Sequence, residues 1–293
     1  MMNVDQLIST ALGCIMFSIG TSLVIGDFKK VFKYPKALTV GLILQMLFLP
    51  LFAFAVCCFL PISNEFKMGI VILSLCPGGA TSNFINYLLN LKTALSVSLT
   101  IINSILILFT IPLGFAFVTN YFGTQNAELS MPFSKIFSSI FFVILLPIIL
   151  GLAFRQIFPK LINFVARSMK YFTTFLLALV FAIKIFAGKD QGGSGLEMHD
   201  MIIILPVILF IHFSSMFFSF LLSKSIKIEQ FRALTIGIEV GLQNTTLALL
   251  ITSVYLANNE ISKPSVVYAM FSFFTTILFG YLLKQRILKN TKE

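Results

Sequence analysis

The chain has 293 residues and a net charge of +10, with 58% hydrophobic residues against 11% charged. Water-soluble domains carry charge on roughly a quarter of their residues, so this composition excludes a soluble globular protein. It also removes the nucleic-acid reading that so basic a chain would otherwise invite. No long polar linker divides the sequence, and a single membrane domain over residues 1–293 is expected.

The first residues, Met1-Met2-Asn3-Val4-Asp5, carry no basic n-region, and the apolar run after them is long, so a retained anchor is expected rather than a cleaved signal peptide. A bilayer core of about 30 Å takes roughly twenty mostly apolar residues per helix. In chain order, the runs that meet this are residues 6–25, 37–60, 68–89, 93–118, 136–154, 164–186, 201–222, 233–255 and 266–283. About nine spans are therefore predicted. The runs are continuous rather than alternating, which favours helices over a closed barrel, and the predicted fold class is all-α integral membrane. Cys14, Cys57, Cys58 and Cys76 all lie inside apolar runs. They read as small buried hydrophobes, with neither a disulfide framework nor metal-ligand spacing.

Basic residues mark cytoplasmic connections. Lys29, Lys30, Lys33 and Lys36 fall between spans 1 and 2, and Lys92 between spans 3 and 4. Arg155, Lys160, Arg167 and Lys170 separate spans 5 and 6, Lys224, Lys227 and Arg232 separate spans 7 and 8, and Lys284, Arg286, Lys289 and Lys292 follow span 9. With nine spans all of these fall on one side, while Glu65, Glu128, Asp190, Glu197, Asp200 and Glu260 fall on the other. The N-terminus is expected outside and the C-terminus inside. Few residues lie outside the spans, which points to a bacterial inner membrane.

Span 3 carries Cys76-Pro77-Gly78-Gly79-Ala80-Thr81-Ser82-Asn83 near its middle. Proline removes a backbone donor and glycine eases departure from helical geometry. An interrupted helix is predicted here, a simple proline kink being the alternative; Pro50, Pro112, Pro147 and Pro206 are read as such kinks in other spans. Span 8 carries Gly237-Ile238-Glu239-Val240-Gly241-Leu242-Gln243-Asn244-Thr245-Thr246. Glu239 is the acidic residue set well inside a span, where a charge costs at least ~2.5 kcal/mol, so it marks a functional site. Gly237 and Gly241, four apart, suit close helix packing, but packing does not account for a carboxylate. Either Glu239 is neutral and hydrogen-bonded, or it pairs with a membrane lysine, for which Lys184 is the candidate by type. Ser96, Thr100 and Asn103 share one face of span 4, and Gln45 is a polar residue in mid-span 2. Spans 3 and 8 are five apart and so run in opposite directions. Two interrupted helices of opposite direction indicate an inverted-repeat transporter with a site at the midplane; with nine spans, one half lacks a helix.

These motifs resemble the bile acid:sodium symporter family. The resemblance is carried by CPGGATSN at 76–83 and EVGLQNT at 239–245, with Ser96 and Thr100 at matching spacing. It extends from Gly20 to span 9 and fits the nine-helix form of the family, which lacks the first helix. The resemblance implies a core of spans 2–4 and 7–9, moving against a panel of spans 1, 5 and 6. It implies two sodium sites, one formed by Ser82, Asn83, Ser96, Thr100 and Glu239. The other is formed by Gln45, Glu239, Gln243 and backbone carbonyls around Val240 and Leu242. Gly78, Gly79, Ala80, Thr81, Asn103, Asn244, Thr275 and Thr276 are expected on the substrate side. Two features depart from the family pattern: Ala80-Thr81 is in swapped order, and Thr275-Thr276 stands where relatives carry a His-Asn pair.

The function expected is sodium-coupled symport of an organic anion, bile-acid-like or a small carboxylate or sulfate. Sodium ions serve as coupling ions, and no other cofactor and no nucleic-acid partner is expected. A proton-coupled carrier titrating Glu239 is the nearest alternative, and a receptor or scaffold without transport is a more distant one. An intramembrane enzyme is not expected: His212 stands by itself in span 7, His199 lies in a loop, and no metal motif occurs.

Overall fold

The computed structural model describes residues 4–22, 34–123, 134, 137–138, 141–188, 193–256 and 258–290, and among them the ordered elements are helices, with no strand. In chain order these are α1 Val4–Ser22, α2 Pro35–Phe59, α3 Asn64–Ser74 and α4 Ala80–Leu88. There follow α5 Thr93–Phe122, α6 Phe141–Ile157, α7 Pro159–Phe186 and α8 Met198–Ser225. The last are α9 Gln230–Gly241, α10 Thr245–Leu249 with its π-helical continuation Leu250–Tyr255, and α11 Asn259–Asn290.

By length and composition, α2, α5, α8 and α11 can each cross a membrane, and α6 and residues 171–186 of α7 are shorter apolar helices. Leu51, Phe109, Leu113, Phe210 and Phe274 are each more than half exposed. Such outward apolar surface is stable only against lipid or another apolar partner. The chain is a multi-pass membrane protein.

Several helices begin before the apolar runs do, because caps are polar. Ser63 accepts a hydrogen bond from the Phe66 N–H at 3.3 Å and opens α3. Glu197 and Asp200 form a reciprocal capping box at the start of α8. Two of the four expected proline kinks take another form. Pro50 and Pro147 each follow a π-helical turn, Leu44–Phe48 and Phe141–Leu145. The wider turn shifts bonding to the i−5 carbonyl, as in Leu49 N–H to Leu44 O, and so absorbs the donor that proline lacks. Gln45 lies within the first of these turns.

Span 3 is interrupted as predicted. α3 ends at Ser74 and α4 starts at Ala80. Span 8 is interrupted too, between Gly241 and Thr245. The two non-helical segments meet: Pro77 and Gln243 form an isolated antiparallel bridge, and the Asn244 N–H donates to the Cys76 carbonyl at 2.8 Å. Because the flanking residues carry that bond, the position occupied by Pro77 needs no donor. A methyl group on Gly78 would lie 2.3 Å from the Leu242 carbonyl oxygen, so the two backbones pass closer than any side chain permits.

Small residues set the helix contacts around this crossing. Gly237 and Gly241 of α9 lie against Met216 of α8, and Gly69 of α3 lies against the Ile261 carbonyl and Pro264 of α11. α1 lies on α6, where Gly20 faces the Ile148 carbonyl and Gly151 the Phe17 carbonyl; α1 also touches α7. At one end of the bundle, Arg232 stacks on Tyr34 at 4.0 Å, Lys92 pairs with Glu229 at 3.6 Å, and Lys284 donates to the Leu89 carbonyl at 2.7 Å. Lys29, Lys30, Lys33, Lys292, Glu128 and Asp190 lie outside the described residues. At the other end, Lys263 is buried and pairs with Asp200 at 2.7 Å and Glu260 at 2.5 Å, a neutralised cation that the loop-charge pattern did not reveal. Of the cysteines, Cys57 and Cys76 are buried and Cys14 is half-buried. Cys58 is exposed, contrary to expectation, because one residue along a helix turns a side chain by about 100°.

Gly78→Ala is expected to push the crossing apart and lower thermal stability by about 1–3 kcal/mol. Gly13→Ala, where an added methyl meets nothing within 4 Å, is the control. Thermal denaturation of the purified variants checks the contrast.

Candidate functional site

α4, α5 and α9 bring one carboxylate into a set of hydroxyl and amide oxygens. Glu239, on the last turn of α9, is 2% exposed. Its Oε1 accepts a hydrogen bond from the Ser96 hydroxyl of α5 and another from the Asn86 amide of α4 at 3.3 Å. Ser96 Oγ also lies 2.6 Å from Asn83 Oδ1, and the Thr100 hydroxyl donates to the same oxygen at 3.3 Å. The Ser82 hydroxyl, donating to the Gly79 carbonyl at 2.9 Å, borders the carboxylate. Ser82, Asn83, Ser96, Thr100 and Glu239 are therefore neighbours, the five residues that the family resemblance groups together.

A proton count shows what this group lacks. Ser96 has one hydroxyl proton, yet Glu239 Oε1 and Asn83 Oδ1 both stand within its reach. Glu239 Oε2 and Asn86 Oδ1 are buried with no hydrogen-bond donor, as are Asn103 Oδ1 and Gln45 Oε1. No lysine or arginine forms an ion pair with Glu239 among the described residues, so the lysine-paired alternative is not the arrangement found. Buried acceptors in such excess call for a donor or a positive charge, either a proton on the carboxyl or a bound cation. No His, Cys, Asp and Glu cluster of the transition-metal kind occurs among the described residues. Neutral oxygens with a single carboxylate suit a hard alkali cation.

A second group adjoins the first through the break in span 8. Gln45 Nε2 donates to Gln243 Oε1 at 3.2 Å, and Gln243 Nε2 donates to the Val240 carbonyl at 2.6 Å. The Leu242 carbonyl faces Gly78. No hydrogen bond joins this group to Glu239 among the described residues.

The residues expected on the substrate side are dispersed. Gly78 is in the crossing itself, while Gly79 is the residue that precedes α4, with Ala80 and exposed Thr81 in its first turn. Asn244 caps α10 by accepting the Leu247 N–H at 3.0 Å. Asn103 is buried in α5. Thr275 and Thr276 lie elsewhere, 3.0 Å and 3.4 Å from His212 Nε2, so His212 has partners that its position in span 7 did not disclose. Asn86 was also missed. It follows Ser82 by four residues and Asn83 by three, and helical periodicity over α4 places it on their face.

The sodium bile acid symporter family matches residues 9–191, more than half of the chain. A protein of Arabidopsis thaliana named probable sodium/metabolite cotransporter BASS1, chloroplastic, is 29% identical over 252 residues, 86% of this chain and 60% of its own length. The uncharacterized sodium-dependent transporter YocS of Bacillus subtilis is 27% identical over 267 residues, 91% of this chain and 79% of its own. The human ileal sodium/bile acid cotransporter is 23% identical over 281 residues, 94% and 78% of the two chains. The chain thus spans about three fifths of the plant relatives' length. On the matched residues, the chain belongs to the sodium bile acid symporter family.

Proposed function

We propose that the chain is a sodium-coupled symporter of organic anions that works by alternating access. One observation carries this: a buried carboxylate without a cationic partner, set among hydroxyl and amide oxygens where two interrupted helices cross. A sodium ion would balance Glu239 and relieve the excess of acceptors, with Ser82, Asn83, Ser96 and Thr100 supplying neutral oxygens. A second ion would be taken by Gln45, Gln243 and the carbonyls of Val240 and Leu242. The names of relatives in plants, Bacillus and human all include sodium.

The substrate would approach from the side where α4 begins. A helix N-terminus favours negative charge, and Gly79, Ala80 and Thr81 surround that of α4. Asn103, Asn244, Thr275 and Thr276 would act as polar contacts along its path. We read nine spans in an inverted repeat, with α2–α5 and α8–α11 as the moving core. α1, α6 and α7, which touch one another, form the panel. The basic end would face the cytoplasm of a bacterial cell, placing the N-terminus outside. Coupling follows if sodium and anion both bind one conformation better than the other.

Sodium titrated against potassium at constant ionic strength should raise the thermal stability of the purified protein. At a hundredfold excess over Kd the gain is about 2.7 kcal/mol, and Glu239→Ala should abolish it. A response to pH but not to sodium, lost in the same variant, would replace sodium with a proton as the coupling ion. Asn86→Leu removes a donor from the carboxylate and leaves its neighbours unpaired. It should cost about 1–3 kcal/mol and weaken sodium-driven uptake of an anion panel into proteoliposomes.

A further inference from the structure

Breaking a helix inside a membrane frees backbone groups that no water can satisfy. At the end of α9 these include the Gly241 carbonyl and the Gln243 N–H. One side chain serves both. Tyr268 of α11, 2% exposed, donates its hydroxyl proton to the Gly241 carbonyl at 2.5 Å and accepts the Gln243 N–H at 3.1 Å. A phenol has one donor and can accept as well, so a single oxygen closes the gap across the non-helical turn.

His212 of α8 holds that phenol. Its Nδ1 lies 3.1 Å from both the Gly241 carbonyl and the Tyr268 hydroxyl. Its Nε2 is fixed from the far side by Thr275 at 3.0 Å. The ring stands edge-on to Tyr268 and Phe271, with centroids 5.3 Å and 5.9 Å away. His212, Tyr268 and Gln243 all border one small cavity of about 20 Å3, with Ser74 and Ser215 on its wall. The turn that they restrain carries Gln243, and Gln243 reaches Gln45 and the Val240 carbonyl.

We propose that Tyr268 is a positioning residue for the cation group of Gln45, Val240 and Gln243, and that His212 orients it. This rests on the sodium-coupled reading above. Tyr268 touches neither ion nor substrate in this scheme. It holds the open turn in the one backbone arrangement that points the Val240 carbonyl and the Gln243 amide toward Gln45.

The test uses the full purified chain, with thermal stability titrated by sodium chloride against potassium chloride. Tyr268→Phe keeps the ring and removes the hydroxyl. It should raise the half-saturating sodium concentration by about tenfold, the equivalent of one lost hydrogen bond to a buried group. A lower melting temperature in potassium with unchanged half-saturation would show a purely structural tyrosine and overturn the proposal. A second pair of variants decides if Tyr268→Phe does not fold. His212→Asn retains an amide near the Nδ1 position and should keep the wild-type half-saturation, whereas His212→Gln places its amide near Nε2 and should raise it. Equal effects from the two would overturn the positioning role. If the wild type itself ignores sodium, the coupling reading fails first; if it responds and the variants match it, only the positioning role fails.

Discussion

The structure depends on two broken helices satisfying each other. Within a bilayer, each unpaired peptide group costs several kcal/mol, so an interruption in one span needs a partner at the same depth. Here the partner is the interruption of the other span. The Asn244 N–H donates to the Cys76 carbonyl, Pro77 sits where no donor is required, and Gly78 admits the Leu242 carbonyl. The proline and glycines that break span 3 are therefore the same residues that let it dock.

From this crossing the chemistry follows by proximity. Glu239 ends α9 just before the break, and Ser82 and Asn83 open α4 just after the other. The carboxylate meets hydroxyls and amides because both helices stop there, and α5 lies across them with Ser96 and Thr100. Burial strengthens every interaction in such a group and makes an unmatched charge costly.

Close contacts are distributed unevenly around the crossing. Gly237 and Gly241 bring α9 tight against α8, and Gly69 does the same for α3 and α11. Buried Lys263, between Asp200 and Glu260, ties the starts of α8 and α11 together. α1, α6 and α7 are held to one another by their own close approaches. Among the described residues, these ion pairs and glycine contacts lie within groups of helices.

The sequence by itself determined the membrane class and the break at Cys76–Pro77–Gly78–Gly79, and it singled out Glu239 as a carboxylate inside an apolar run. These are local properties: hydropathy, proline and glycine chemistry, and the cost of a carboxylate in an apolar run. Tertiary structure alone decided that Asn86 donates to Glu239, 153 positions away, while the meeting of Gln45 and Gln243 was implied by the family resemblance and takes the form of a hydrogen bond between their amides. It also turned His212 from a solitary residue into part of a network with Tyr268, Thr275 and Thr276. A hydrogen bond between distant helices leaves no periodic trace in either, because an asparagine or a tyrosine on a helix face reads alike whether it meets a partner or lipid. What it meets is set only when the breaks fold against each other.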